Sequence, residues 1–86
     1  MKTLKKSLFA LIERAGILGL RKEDLITAQE FVEYHEYGLG LDTITTQMYE
    51  YNIEIDQAFY ETIKEIADKM KLPPESYSHM KELLRS

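Results

Sequence analysis

The feature that most constrains the fold is a spacing of three or four residues between apolar side chains, repeated along most of the chain. The clearest case lies between residues 59 and 70, where the apolar positions are Phe59, Ile63, Ile66, Ala67 and Met70. This spacing places the side chains on one face of an α-helix. No run of alternating β-branched or aromatic residues is long enough to predict a strand. We therefore predict an all-α fold, a compact bundle of four to five short helices forming a single domain over residues 1–86.

Breaks in the apolar spacing predict helices over residues 4–15, 22–37, 39–51, 57–71 and 74–85. Gly16 and Gly38 are expected to end the first two helices, because glycine readily adopts the left-handed conformation. Asp56 is the predicted N-cap of the fourth helix, and Pro73 with Pro74 should separate it from the fifth. The predicted buried set outside the fourth helix is Leu4, Leu8, Leu11, Ile12, Ala15, Ile17, Leu18, Leu20, Leu25, Ala28, Val32, His35, Leu39, Leu41, Ile44, Met48, Tyr77, Met80 and Leu84.

The composition excludes several classes of protein. The 86 residues include no cysteine, so neither a disulfide framework nor a thiolate metal site can form. No stretch approaches the roughly 20 apolar residues that a membrane span requires. The basic and apolar N-terminus is interrupted by Glu13 and Arg14, which favours an amphipathic helix over a signal peptide. These observations predict a soluble, cytoplasmic protein that does not bind a membrane.

Charge is distributed very unevenly along the chain. Residues 23–63, which we call the acidic segment, contain ten Asp or Glu and no Lys or Arg, whereas the remaining residues contain five acidic and eleven basic side chains. The formal net charge of −4 is therefore −10 in the acidic segment and +6 elsewhere. An acidic segment of this length repels phosphates, which argues against direct binding of nucleic acid. It is instead typical of a surface that binds a basic partner.

Few side chains suggest catalysis or metal binding. Glu33, His35, Glu36 and the distant His79 are the only candidates, and their spacing matches no established ligand motif. No phosphate-binding loop or serine triad pattern is present. We predict no metal, no cofactor and no enzymatic activity; a metal-dependent enzyme built on these residues is the least favoured alternative.

The tyrosine-rich part of the acidic segment, residues 34–55, is the best candidate for a binding surface. Tyrosine combines a large rigid ring with one hydroxyl and is enriched at binding hot spots, while carboxylates accelerate encounter with a cationic partner. The alternative is that the tyrosines are ordinary residues at the edge of the core. The predicted partner-binding residues are Glu33, Glu36, Tyr37, Asp42, Glu50, Tyr51, Glu54 and Asp56.

Two strings in this segment, HEYGLGL at 35–41 and MYEYNI at 48–53, resemble the core pattern of MafI-type immunity proteins. These are small acidic helical proteins that protect bacteria against toxins of the MafB and contact-dependent inhibition systems. The resemblance covers residues 30–66, with Gly40 and Met48 where the family pattern has alanine and leucine. It places the family motif on His35, Glu36, Tyr37, Gly38, Tyr49, Glu50 and Tyr51.

The resemblance implies an inhibitor that binds a cognate toxin domain in the cytosol and covers its active-site cleft. The toxins paired with this family are often RNases of the EndoU class, which are basic because they bind RNA. A general acidic helical adaptor that binds a basic segment of a host protein is the alternative. The sequence leaves the oligomeric state open.

Overall fold

A computed structural model describes residues 3–85 and confirms the all-α class. The elements in chain order are α1 (Leu4–Leu18), α2 (Lys22–Glu33), α3 (Tyr37–Glu50), α4 (Gln57–Lys69) and two 3₁₀ segments, Pro74–Ser76 and Ser78–Leu83. Thr3 and Asp56 cap α1 and α4, since their side chains accept hydrogen bonds from the amides of Lys6 and Phe59. No helix between residues 3 and 85 combines the length and apolar character needed to cross a bilayer.

The core is built around α1, which packs against α2, α3 and α4. The most extensive contact between helices is that of α2 with α3, and the C-terminal 3₁₀ segments close against α3 and α4. Most of the predicted apolar faces are buried as expected. The side chains with less than 2% exposure are Leu8, Leu11, Ile12, Ala15, Ala28, Val32, Ile44, Met48, Ile55, Phe59, Ile63, Ile66, Ala67 and Met80.

Three predicted core positions are wrong. Ile17 is 68% exposed, Leu39 is 49% exposed, and His35 lies at the surface in the turn after α2. The error at Leu39 comes from grouping it with Leu41, because residues two apart on a helix are about 200° apart around its axis. The buried stripe of α3 instead runs through Leu41, Ile44 and Met48.

The helices end at different residues from those predicted. Gly16 lies inside α1, where the side chain of Leu25 packs so closely that a Cβ would come within 2.9 Å of Leu25 Cδ1. Gly38 lies in the first turn of α3. The left-handed residues that follow the four α-helices are Gly19, His35, Asn52 and Lys71, with φ of 122°, 63°, 54° and 58°. In each case the next amide donates to a carbonyl five residues back, as in a Schellman motif.

The predicted fifth α-helix is a pair of 3₁₀ segments. Its buried side chains are Tyr77, Met80 and Leu83, whose spacing of three residues matches the 3₁₀ period rather than the α period. The chain then becomes extended at Leu84, which forms a parallel bridge with Ile55. The amide of Ile55 donates to the Leu83 carbonyl at 2.9 Å, and the Arg85 amide donates to the Ile55 carbonyl at 3.0 Å. These bonds attach the C-terminal segment to the loop between α3 and α4.

Candidate protein-binding surface

The predicted binding residues lie at two ends of α3 rather than on one patch. Glu33, Glu36, Tyr37 and Asp42 lie between the end of α2 and the second turn of α3, whereas Glu50 ends α3 and Tyr51, Glu54 and Asp56 follow it. A helix of 14 residues is about 21 Å long. The two groups therefore have different neighbours and are described separately.

Asp56 and Tyr51, in the C-terminal group, contact other parts of the chain. Asp56 accepts a hydrogen bond from the Phe59 amide at 2.8 Å and pairs with Arg14 at 3.1 Å. The Phe59 amide, followed by the Arg14 guanidinium, lowers the pKa of the Asp56 carboxyl. The guanidinium carbon of Arg21 lies 4.5 Å from the centre of the Tyr51 ring, a cation–π contact. These groups already have partners within the molecule.

Arginines from outside the acidic segment neutralise part of it. Every ion pair found among residues 3–85 joins such an arginine to a carboxylate within the segment. The pairs are Arg14–Asp56, Arg21–Asp24 and Arg85–Glu54, with N–O distances of 3.1, 3.2 and 3.4 Å. The separation of charge in the sequence is thus larger than the separation of charge on the folded surface.

Asp24 is the acidic residue least available to a partner. Its side chain is buried, with the residue 8% exposed. One carboxylate oxygen accepts from Arg21 Nε at 3.2 Å, and the other accepts from Gln47 Nε2 at 3.1 Å, which joins α2 to α3. Sequence reasoning assigned Asp24 only to the first turn of α2. Its position facing Gln47 depends on the packing of the two helices.

The N-terminal group is different, because its carboxylates form no ion pair with any of residues 3–85. We call residues 30–42, which comprise the end of α2, the turn and the start of α3, the α2–α3 corner. Glu30, Glu33, Glu36 and Asp42 are exposed there, and none forms an ion pair with the described part of the chain. The corner contains no Lys or Arg. It is therefore the strongly acidic part of the predicted surface.

The turn at the corner has a defined conformation. His35 is left-handed, and the amide of Glu36 donates to the Phe31 carbonyl at 2.7 Å. The rings of His35 and Tyr37 lie 5.7 Å apart between centres. On the inner side, a Cβ on Gly40 would lie 2.8 Å from Val32 Cγ2, so the two helices approach each other at van der Waals distance. The corner is thus held by backbone bonds and by packing.

Two large apolar side chains at the corner are exposed and were not among the predicted binding residues. Tyr34 is 80% exposed and Leu39 is 49% exposed. The sequence contained a signal for Leu39, since it falls on the opposite side of α3 from Leu41. Tyr34 was noted only as one of several tyrosines, and its exposure depends on where α2 ends.

Tyr49 contacts the C-terminal segment. Its hydroxyl donates to Glu82 Oε1 at 2.8 Å, and its ring meets the His79 ring edge-on at 5.0 Å between centres. The hydrogen bond to the carboxylate raises the pKa of the Tyr49 hydroxyl. Tyr49 therefore has a role in the fold, whatever else it does.

The cleft that borders the corner is small. It has a volume of about 150 Å³ and lies between Gly38, Asp42 and Leu72. Pockets for small-molecule ligands are usually about 300–1,000 Å³. Among residues 3–85, no three His, Asp or Glu side chains converge as a metal site would require. The corner is better suited to contact with a protein than to enclosing a small ligand.

Comparison with known proteins gives no relative. Neither a protein-family model, nor a curated protein, nor a solved structure matches this chain.

Proposed function

We propose that this chain is an inhibitor of the immunity-protein type, which binds a cognate basic toxin domain, an RNase, and covers its active-site cleft. The supporting observation is the α2–α3 corner, where four exposed carboxylates have no cationic partner within the described chain and lie beside two exposed apolar side chains. The carboxylates would occupy the positions that RNA phosphates take in the toxin. Inhibition of this kind requires binding and no chemistry by the chain.

Electrostatics account for the choice of partner. Unpaired carboxylates produce a negative potential that accelerates encounter with a basic surface and disfavours acidic partners. An RNA-binding cleft is a concave basic surface of the matching sign. A specific interface needs about 800 Å² on each partner. An interface of that size would extend from the corner over the outer faces of α2 and α3.

In the adaptor alternative, the same acidic corner would bind a basic segment of a host protein. Co-expression with a toxin-like open reading frame next to its gene separates the two functions. Relief of toxicity supports the inhibitor. Persistent toxicity, with no complex formed between the purified proteins, contradicts it.

The role of the corner can be tested by charge reversal with a matched control. We expect Glu33→Lys, Glu36→Lys and Asp42→Lys together to reduce toxin affinity by at least about 100-fold at low salt and less at high salt. The control variant carries Glu65→Lys, Asp68→Lys and Glu75→Lys, the same change in net charge on exposed residues outside the corner. Titration calorimetry at two salt concentrations measures both. If the two variants lose toxin affinity to the same extent, the interface does not include the corner.

A further inference from the structure

We infer that Tyr34 and Leu39 form the apolar centre of the interface, and that the partner offers an apolar pocket rimmed by Lys and Arg side chains. This inference rests on the proposed function and identifies the residues that contribute most of the binding free energy. The carboxylates of the corner then determine the rate of association, while the two apolar side chains determine the rate of dissociation.

The first reason is the exposure of these two side chains. Tyr34, at 80%, is the most exposed large apolar residue in the described chain, and Leu39 is 49% exposed. They are five residues apart, so their Cα atoms are at most about 17 Å apart, within the width of one standard interface. Tyrosine is enriched among residues whose truncation weakens binding most. The two side chains can therefore enter the same apolar pocket of the partner, or its edge.

Comparison with the other exposed aromatic residues gives the second reason. Tyr49 donates a hydrogen bond to Glu82, and Tyr51 lies beneath the guanidinium of Arg21. Both rings therefore stabilise contacts within the chain. No such hydrogen bond or cation–π contact of Tyr34 is found among residues 3–85. Its ring is available to a partner.

The third reason is the rigidity of the backbone that carries both residues. Tyr34 is the C-cap of α2, and Leu39 lies in the first turn of α3. The Schellman bond from the Glu36 amide and the close packing of Gly40 on Val32 determine the angle between these elements. A preformed arrangement reduces the entropy lost on binding. The surrounding carboxylates, Glu30, Glu33, Glu36 and Asp42, match a cationic rim that excludes water from the centre.

Binding kinetics with the purified, catalytically inactive toxin domain from the adjacent gene test this inference. The variants are Tyr34→Ala, Leu39→Ala, the Glu33→Gln, Glu36→Gln and Asp42→Asn triple variant, and Ile17→Ala as a control. Ile17 is 68% exposed and lies in the last turn of α1, outside the corner. Rates are measured at about 50 and about 300 mM NaCl, a range over which screening changes strongly. Urea unfolding of each variant verifies that the fold is intact.

We expect Tyr34→Ala and Leu39→Ala each to raise the dissociation rate by roughly tenfold or more, with the association rate and its salt dependence nearly unchanged. The triple variant should lower the association rate and weaken its salt dependence. Ile17→Ala should match the wild type. If the wild type binds and both alanine variants dissociate at its rate, the inference is wrong and the proposed function stands. If the wild type does not bind, both are wrong.

Discussion

The residues that follow α2, α3 and α4 are His35, Asn52 and Lys71, and each adopts the left-handed conformation that glycine tolerates best. For a residue with a side chain this conformation costs about 1–2 kcal/mol. Asparagine bears the cost more easily, because its side chain bonds locally to the backbone. Histidine is likewise enriched in this conformation. Lys71 has no such advantage, so the molecule carries avoidable strain at the end of α4.

Replacing Lys71 with glycine tests the strain at a helix end. We expect Lys71→Gly to raise the free energy of unfolding by about 0.5–1 kcal/mol, because the left-handed conformation is no longer penalised. Lys64→Gly, the same substitution within α4, should lower it by about 1 kcal/mol. Urea denaturation measures both changes. Destabilisation by both variants to the same extent would show that φ at Lys71 carries no strain.

At the level of elements, the pairing of α2 with α3 depends on one glycine. Gly40 faces Val32, whose β-branched side chain is fully buried and has few alternative rotamers. Gly38, two residues earlier, has room for a side chain, since a Cβ there would lie 3.9 Å from Met70 Cε, an ordinary van der Waals contact. Both glycines lie in α3, and they differ in the neighbours that a Cβ would meet.

We expect Gly38→Ala and Gly40→Ala to change stability in opposite directions. Gly38→Ala should stabilise the protein by up to about 1 kcal/mol through helix propensity. Gly40→Ala should destabilise it by about 1–3 kcal/mol, because the new Cβ would lie 2.8 Å from Val32 Cγ2 and overpack a full core. Thermal unfolding of both variants, and of Gly40→Ala combined with Val32→Ala, measures the effect. Stabilisation by Gly40→Ala would contradict the close contact.

The C-terminal element offers a test of its 3₁₀ spacing. Leu83 is 4% exposed and Leu84 is only partly buried. We expect Leu83→Ala to lower the free energy of unfolding by about 2–4 kcal/mol and Leu84→Ala to lower it by less than half of that. An α-helical segment with Tyr77, Met80 and Leu84 on its buried face would reverse this order. Chemical denaturation of the two variants distinguishes the registers.

At the scale of the whole molecule, folding redistributes charge that the sequence keeps apart. Three arginines pair with carboxylates of the acidic segment, and the side chains of these pairs, apart from Asp24, are 43–75% exposed. Exposed pairs contribute little to stability, typically less than about 1 kcal/mol. The carboxylates of the corner repel one another, and none of them forms an ion pair within residues 3–85. Repulsion at the corner should therefore outweigh the attraction in these pairs.

Salt should consequently stabilise the free protein. We expect the free energy of unfolding to rise by a few tenths of a kcal/mol to about 1 kcal/mol between about 20 and about 300 mM NaCl, because screening reduces the repulsion. The variant with Glu33→Lys, Glu36→Lys and Asp42→Lys should lose most of this rise. Urea midpoints at each salt concentration provide the measurement. A fall in stability with salt would mean that the arginine pairs dominate.

Much of the architecture follows from the sequence, because helical periodicity and local capping act over only a few residues. Leu8, Leu11 and Ile12 mark one buried face without reference to any other helix, and Asp56 caps α4 through the Phe59 amide three residues away. The acidity of the corner is likewise a local property. These features depend on neighbours in sequence, so the sequence alone determined them.

Tertiary structure decided which of the predicted binding residues can contact a partner. Arg14 reaches Asp56 across 42 positions of sequence, and Arg85 reaches Glu54 across 31, so two predicted binding residues already have partners. The C-terminal segment is 3₁₀, and Leu83 rather than Leu84 is buried, because of how the last residues pack on the core. Contacts between distant residues depend on the arrangement of the helices. That arrangement cannot be derived from the spacing of side chains within any one helix.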